Sequence, residues 1–187
     1  MTRMLLIRHG ESTWNAEGRW QGQADAPLSA RGEAQARAAG PAVAALPTFA
    51  GAFCSPLQRA RHTAEVLAAA AGLDPPRPVP GLEEREAGPW TGLTHAEIDE
   101  RHPRARATGW RPEGYETRAA MHRRVVAALA ALPGDPQLLV VHEGVIRLFD
   151  DDPAPLPNLG ARWFVRTGAA LTPDGPRLTL APAPALP

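Results

Sequence analysis

Apolar residues along the 187-residue chain fall into short runs, separated by stretches in which they recur at helical spacing. The first run, Arg3 to Ile7, is apolar throughout its interior. That pattern predicts a strand covered by helices on both faces. Residues Trp14 to Leu28 are rich in Gly, Gln, Asn and Asp and predict a loop. Ser29 is placed to cap a helix carrying Ala34, Ala38, Val43 and Leu46 at helical spacing, which Gly40-Pro41 should kink or interrupt. A second strand near Gly51 to Cys54 runs into Ser55-Pro56, a serine cap followed by proline at the first helical position. Leu57, Ala60, Ala64, Leu67 and Ala71 then trace one apolar face, Gly72 ends the helix, and Pro75 to Pro80 reads as an extended linker.

Residues 81 to 115 show the least regular pattern. Thr94 and Glu97 have capping-box spacing, which predicts a short helix from about His95 to Glu100. The longer helix after it presents Met121, Val125, Leu129 and Leu132 on one face. Together, residues 81–135 read as an insertion and a following helix that partly cover one end of the sheet. Gln137 to Val141 is a third clear strand, ending at His142-Glu143-Gly144, with a short helix expected from Val145 to Phe149. Asp150 to Pro157 reads as a loop, and Trp163 to Arg166 and Arg177 to Leu180 as closing strands. The last residues alternate Ala and Pro and are expected to fray.

Strands alternating with helices predict a single α/β domain: three layers, α/β/α, around a mostly parallel sheet. Such sheets bind ligands beyond the carboxyl ends of their strands. Two of the strands end in histidine, at His9 and His142, and the second leads to Arg59 in the first turn of its helix. If those ends are neighbours, Arg8, His9, Arg59 and His142 converge. Taken alone, His9 is open to three roles: structural residue, metal ligand or nucleophile.

Composition narrows these options. The 20 basic and 20 acidic residues cancel, so no bulk attraction to nucleic acid or to an anionic membrane is expected. Every basic residue is arginine, which excludes any step that needs a lysine. The single cysteine, Cys54, rules out an intrachain disulfide and a cysteine-based zinc site. No familiar zinc spacing of histidines and carboxylates appears, and neither metal nor cofactor is expected. The N-terminal residues lack signal-peptide features and no apolar run approaches membrane-spanning length, so a cytoplasmic location is expected. Nothing in the pattern specifies an oligomeric state.

Two arginines and two histidines around one pocket would suit a phosphate dianion, because guanidinium groups bind phosphate oxygens in pairs and stay charged. The amino end of the helix after Ser55 would add a favourable dipole. His9 could attack phosphorus, splitting one displacement into two through a phosphohistidine. A nearby carboxylic acid would then protonate the leaving alkoxide and later activate water.

This constellation resembles the histidine phosphatase superfamily, which includes the cofactor-dependent phosphoglycerate mutases. The resemblance starts at Arg8-His9-Gly10-Glu11-Ser12 and Trp14-Asn15, and continues through Gly18-Arg19-Trp20-Gln21-Gly22, Asp25 and Pro27-Leu28-Ser29. It resumes at Ser55-Pro56-Leu57-Gln58-Arg59-Ala60, at Glu84 with Gly88, Trp90 and Gly92, and at His142 with Gly144-Val145-Ile146-Arg147. Four blocks in the family's order are a specific signal. The resemblance implies a phosphoglycerate mutase-like fold, with His9 as nucleophile and Glu84, rather than its neighbour Glu83, as proton donor. It implies that Arg8, Arg59 and His142 grip phosphate, and that Asn15, Gln21 and Gly22 help to hold phosphate or substrate.

Two residues depart from the family pattern. Glu143 stands where a small residue is usual, and its carboxylate would oppose anion binding unless it points away or pairs with an arginine. Ala87 stands where an aromatic residue often precedes Gly88. The other histidines, His62, His95, His102 and His122, match no block and read as surface or packing residues; Trp90 and Trp110 read as packing. Arg101, Arg104 and Arg106 read as a solvated face.

The reading that results is a phosphomonoester hydrolase acting on a small phosphorylated metabolite. A phosphoglycerate mutase is the first alternative; the absence of lysine and the compact segment between Glu84 and His142 count against it. A non-catalytic phosphate-binding regulatory module is the second.

Overall fold

A computed structural model describes residues 1–181; the Ala-Pro tail, expected to fray, lies outside them. The strands are β1 (Thr2–Arg8), β2 (Gly51–Cys54), β3 (Arg77–Pro78), β4 (Gln137–Val141), β5 (Gly160–Thr167) and β6 (Ala170–Thr179). They form one sheet in the order β3-β2-β4-β1-β5-β6. The pairings among β3, β2, β4 and β1 are parallel, and those of β5 with β1 and β6 are antiparallel. The helices are α1 (Thr13–Ala16), α2 (Ala30–Ala44), α3 (Gln58–Ala70), α4 (His95–Arg101), α5 (Ala105–Thr108), α6 (Arg118–Ala130) and α7 (Glu143–Ile146).

Side-chain alternation along the strands divides the core in two. Leu5, Ile7, Ala52, Cys54, Leu138 and Val140 pack with Ala39 and Val43 of α2 and Ala60, Ala64 and Leu67 of α3. Met4, Leu6, Phe53, Leu139 and Val141 pack on the opposite side with Met121, Val125 and Leu129 of α6 and with Val145 and Ile146 of α7. β1 and β4 are therefore apolar on both faces, as a doubly covered parallel sheet requires. Among the described residues, no helix is long and apolar enough to cross a membrane.

Several local expectations are corrected. The buried face of α2 is Ala36, Ala39 and Val43, while Ala34 and Ala38 are exposed. In so alanine-rich a helix, small residues occur on every side, and spacing alone does not choose the inward one. Pro41 lies inside α2 without ending it. It is exposed and in the last turn, so water can serve the carbonyl that its missing N–H leaves free. Ser55 is not a helix cap: α3 begins at Gln58 after Leu57, and the buried Ser55 hydroxyl turns to His142 instead. Within the expected linker, Arg77-Pro78 pairs with β2 as an edge strand, where proline's missing donor does no harm. α7 starts two residues earlier than expected, at Glu143. Within the expected loop at 14–28, Thr13–Ala16 form a capped turn of helix.

Residues 81–115 build a third, small apolar cluster of Ala87, Trp90, Ile98 and Ala105, with Trp20, Leu93 and Tyr115 against it. Trp90 is fully buried there, whereas Trp110 is 49% exposed. α4 carries both halves of the expected capping box: Glu97 N–H donates to Thr94 Oγ1 at 3.2 Å, and Thr94 N–H to Glu97 Oε2 at 2.7 Å. Thr94→Ala removes the first of these bonds and should lower unfolding free energy by about 1 kcal/mol, read as a reduced urea midpoint with unchanged slope.

Candidate active site

β1 and β4 lie side by side, with Arg8 opposite Val141. The register continues one residue past the strands, where His9 N–H donates to the Val141 carbonyl at 3.1 Å. β2 ends one strand further along, with Ser55 N–H on the Val140 carbonyl at 3.0 Å. The expected convergence therefore occurs. The rings of His9 and His142 meet edge to face with centroids 5.1 Å apart. Beyond the strand ends opens a cleft of about 580 Å³, whose lining includes Arg8, His9, Asn15, Gln21, Gly22, Arg59 and Glu84. His142 is completely buried beside His9.

His9 Nδ1 lies 2.6 Å from the Gly10 carbonyl oxygen. A carbonyl only accepts, so Nδ1 carries the proton and the Nε2 lone pair is free. His142 Nε2 lies 2.8 Å from Ser55 Oγ. That oxygen also accepts from Leu57 N–H at 3.3 Å, which leaves its hydrogen and its second lone pair for the ring. His142 Nδ1 is a buried atom without a protein partner. Ser55 is thus a site residue that sequence reasoning assigned elsewhere, because serine before proline fits a helix cap equally well.

Arg59 is fully buried. Its Nη1 donates to the Ala24 carbonyl at 2.7 Å and its Nη2 to the Gly22 carbonyl at 3.0 Å. Gly22 has φ +53°, and a Cβ there would sit 2.8 Å from the Ala87 nitrogen, so only glycine fits the turn that aims its carbonyl at Arg59. Burial lowers the Arg59 pKa to about 10, against the opposing effect of Glu84 and Asp25, and the group stays charged at neutral pH. Asn15 and Gln21 line the cleft around Ser12, whose hydroxyl donates to Gln21 Oε1 at 2.7 Å and accepts from Asn15 N–H at 3.0 Å.

Geometry separates the two candidate carboxylates. Glu84 lines the cleft, with Oε2 accepting from Gly144 N–H at 3.0 Å and Oε1 from Arg85 N–H at 2.7 Å. Glu83 accepts from Gly81 N–H at 2.7 Å and lies 3.8 Å from Arg124, outside the cleft lining. Arg124 fastens this segment by donating to the carbonyls of Gly81, Glu83 and Glu84. Glu143 faces the cleft but is paired, 2.7 Å from Arg8 and 3.4 Å from Arg147. The small Ala87 is flanked by Trp20 and Tyr115, which also line the cleft. His95, read from sequence as a surface or packing residue, is exposed at this cleft beside Trp20. Among the described residues, no group of three or more His, Cys, Asp or Glu could hold a metal ion.

A sequence model of the histidine phosphatase superfamily (branch 1) matches residues 4–171. The chain belongs to that superfamily. Glucosyl-3-phosphoglycerate phosphatase of Mycobacterium tuberculosis is 37% identical to this histidine phosphatase over 161 residues, covering 77% of this chain and 71% of the relative. A probable phosphoglycerate mutase of Salmonella choleraesuis is 34% identical over 163 residues, covering 78% and 71%. A solved structure of mycobacterial glucosyl-3-phosphoglycerate phosphatase in complex with VO3 superposes with a TM-score of 0.78 at 30% identity, covering 93% of this chain and 97% of that one.

Both buried histidines of the enzyme are held neutral. Burial lowers the His9 pKa well below the usual imidazole value, reinforced by Arg59 and then Arg8, against a smaller opposite effect of the Gly10 carbonyl. Burial is also the largest cause at His142, followed by Arg59. Below about pH 6.5 the unfolded chain takes up these protons and the folded one does not, so stability falls as pH falls. Unfolding free energy should therefore drop between pH 7.5 and 5.5, and His142→Gln should remove its share of that slope in urea titrations. Glycine at 144 is required by Glu84, since a Cβ there would lie 2.0 Å from Glu84 Oε1. Gly144→Ala should displace the carboxylate and lower kcat by about 10²-fold, with a thermal transition retained.

Proposed function

We propose that the protein hydrolyses a phosphomonoester by transferring the phosphoryl group to His9 Nε2 and then to water. The observation that carries this reading is the state of His9: proton on Nδ1 toward Gly10, neutral through burial, and flanked in the cleft by Arg8 and Arg59. The substrate phosphate lies between the two guanidinium groups, and the unpartnered His142 Nδ1 becomes a further donor when it carries the ring proton. Nε2 forms a bond to phosphorus as the ester P–O bond breaks, and Glu84 gives the leaving oxygen its proton. Water then attacks phosphorus, Glu84 takes the proton, and the N–P bond breaks to release inorganic phosphate. The charges around phosphorus are met by groups already in place, so little reorganisation is needed.

Glucosyl-3-phosphoglycerate phosphatase suggests the substrate class: a phosphorylated small metabolite with a further polar portion. The cleft supports that reading, because Trp20, Tyr115 and His95 line it together with Arg85 and Arg118. We assign the activity to the cytoplasm, where the free, buried thiol of Cys54 stays reduced.

Purified protein should hydrolyse p-nitrophenyl phosphate in the presence of EDTA. His9→Ala should lower kcat by at least about 10³-fold and abolish an acid-labile phosphoenzyme trapped by rapid quench. Activity that survives the substitution removes the nucleophile assignment. Interconversion of 2- and 3-phosphoglycerate faster than phosphate release would make the protein a mutase instead.

A further inference from the structure

The cleft lining contains a negative group beside Arg8 that the proposed reaction does not use. Glu143 follows His142 directly, and its backbone is set by the end of β4. Its Oε2 lies 2.7 Å from Arg8 Nη1, the same nitrogen that donates to the Leu156 carbonyl. Its Oε1 accepts from Leu156 N–H at 3.3 Å and faces Arg147 Nη1 at 3.4 Å. Three contacts thus hold the carboxylate where it is, at the lining of the cleft. They also hold Arg8, whose Nε is buried without a partner.

Two consequences follow from this arrangement. The Arg8 guanidinium is aimed, because Nη1 is engaged on both sides and the remaining donors are left for a ligand. Its attraction for phosphate is also reduced, because an incoming dianion meets a carboxylate already paired with the same guanidinium. Among the described residues no carboxylate lies within ion-pair distance of Arg59, whose Nη groups are engaged by neutral carbonyls. A mutase must retain its phosphorylated partner for the return transfer, whereas a hydrolase turns over faster when inorganic phosphate leaves easily.

We infer that Glu143 is a positioning residue that acts through Arg8, orienting the guanidinium while weakening its hold on phosphate so that the product is released. The inference rests on the phosphate-site reading above. Glu143→Gln tests it, because the amide keeps the size of the side chain and an oxygen for Leu156 N–H. With p-nitrophenyl phosphate as substrate and inorganic phosphate as inhibitor, KM and the phosphate Ki should both fall about tenfold, while kcat does not rise. Glu143→Asp, which keeps the charge but shortens its reach, should lower Ki by less. In an Arg8→Gln background, Glu143→Gln should change phosphate affinity by less than about twofold, measured by calorimetry on the intact chain. An unchanged or raised Ki in Glu143→Gln, or the full gain in the Arg8→Gln background, overturns the inference. Absence of any competition by phosphate in the unsubstituted enzyme would overturn the phosphate-site reading itself, a result distinct from either of these.

Discussion

The parallel pairing of β1 with β4 is the constraint on which the site depends. His9 and His142 are 133 residues apart in sequence, and neither has a function that it could perform alone. The Arg8–Val141 register, extended by the hydrogen bond from His9 to Val141, places both at the same height at the end of the sheet. Pairing of β2 with β4 then adds Ser55 and Arg59 from the other side. A shift of one residue would turn every strand side chain to the opposite face, exchanging the two core layers. The apolar packing on both faces therefore protects the chemistry as well as the fold.

Burial does a second job at the strand ends. Removing the histidines from water keeps them neutral, and the adjacent guanidinium groups push in the same direction. His9 can then offer a lone pair at Nε2, because the Gly10 carbonyl holds its proton on Nδ1, while the Ser55 hydroxyl fixes the position of the His142 ring. Cations remain charged under the same burial because backbone carbonyls of the 22–24 turn solvate Arg59 in place of water. Carboxylates are admitted only where donors fix them: Glu84 on two backbone N–H groups, Glu143 between arginines and Leu156 N–H. The cleft is thus a balance of opposed charges held in fixed positions.

Most of the sheet was legible in the sequence because β1, β2 and β4 are contiguous apolar runs ended by distinctive residues. The Thr94–Glu97 box was legible for a similar reason, since capping is a local interaction between residues three apart. β3 and the full extent of β5 were not, because their pairing depends on a neighbouring edge rather than on their own composition. The inward face of α2 was misread where alanine is everywhere and only the shape of the opposing α3 selects Ala36 and Ala39.

By itself the sequence determined the parts of the site: an arginine-histidine strand end, an Arg59 helix, a Glu83-Glu84 pair and a terminal His142 block, in an order shared with one superfamily. These are properties of residue type and spacing, which a linear chain expresses fully. The tertiary structure decided how those parts are used. It turned Glu84 rather than Glu83 into the cleft, onto the Gly144 N–H, took Ser55 from helix capping to hold His142, and paired Glu143 with Arg8. Each of these choices joins residues far apart in the chain, and side-chain direction at such contacts is set by packing that no local pattern encodes.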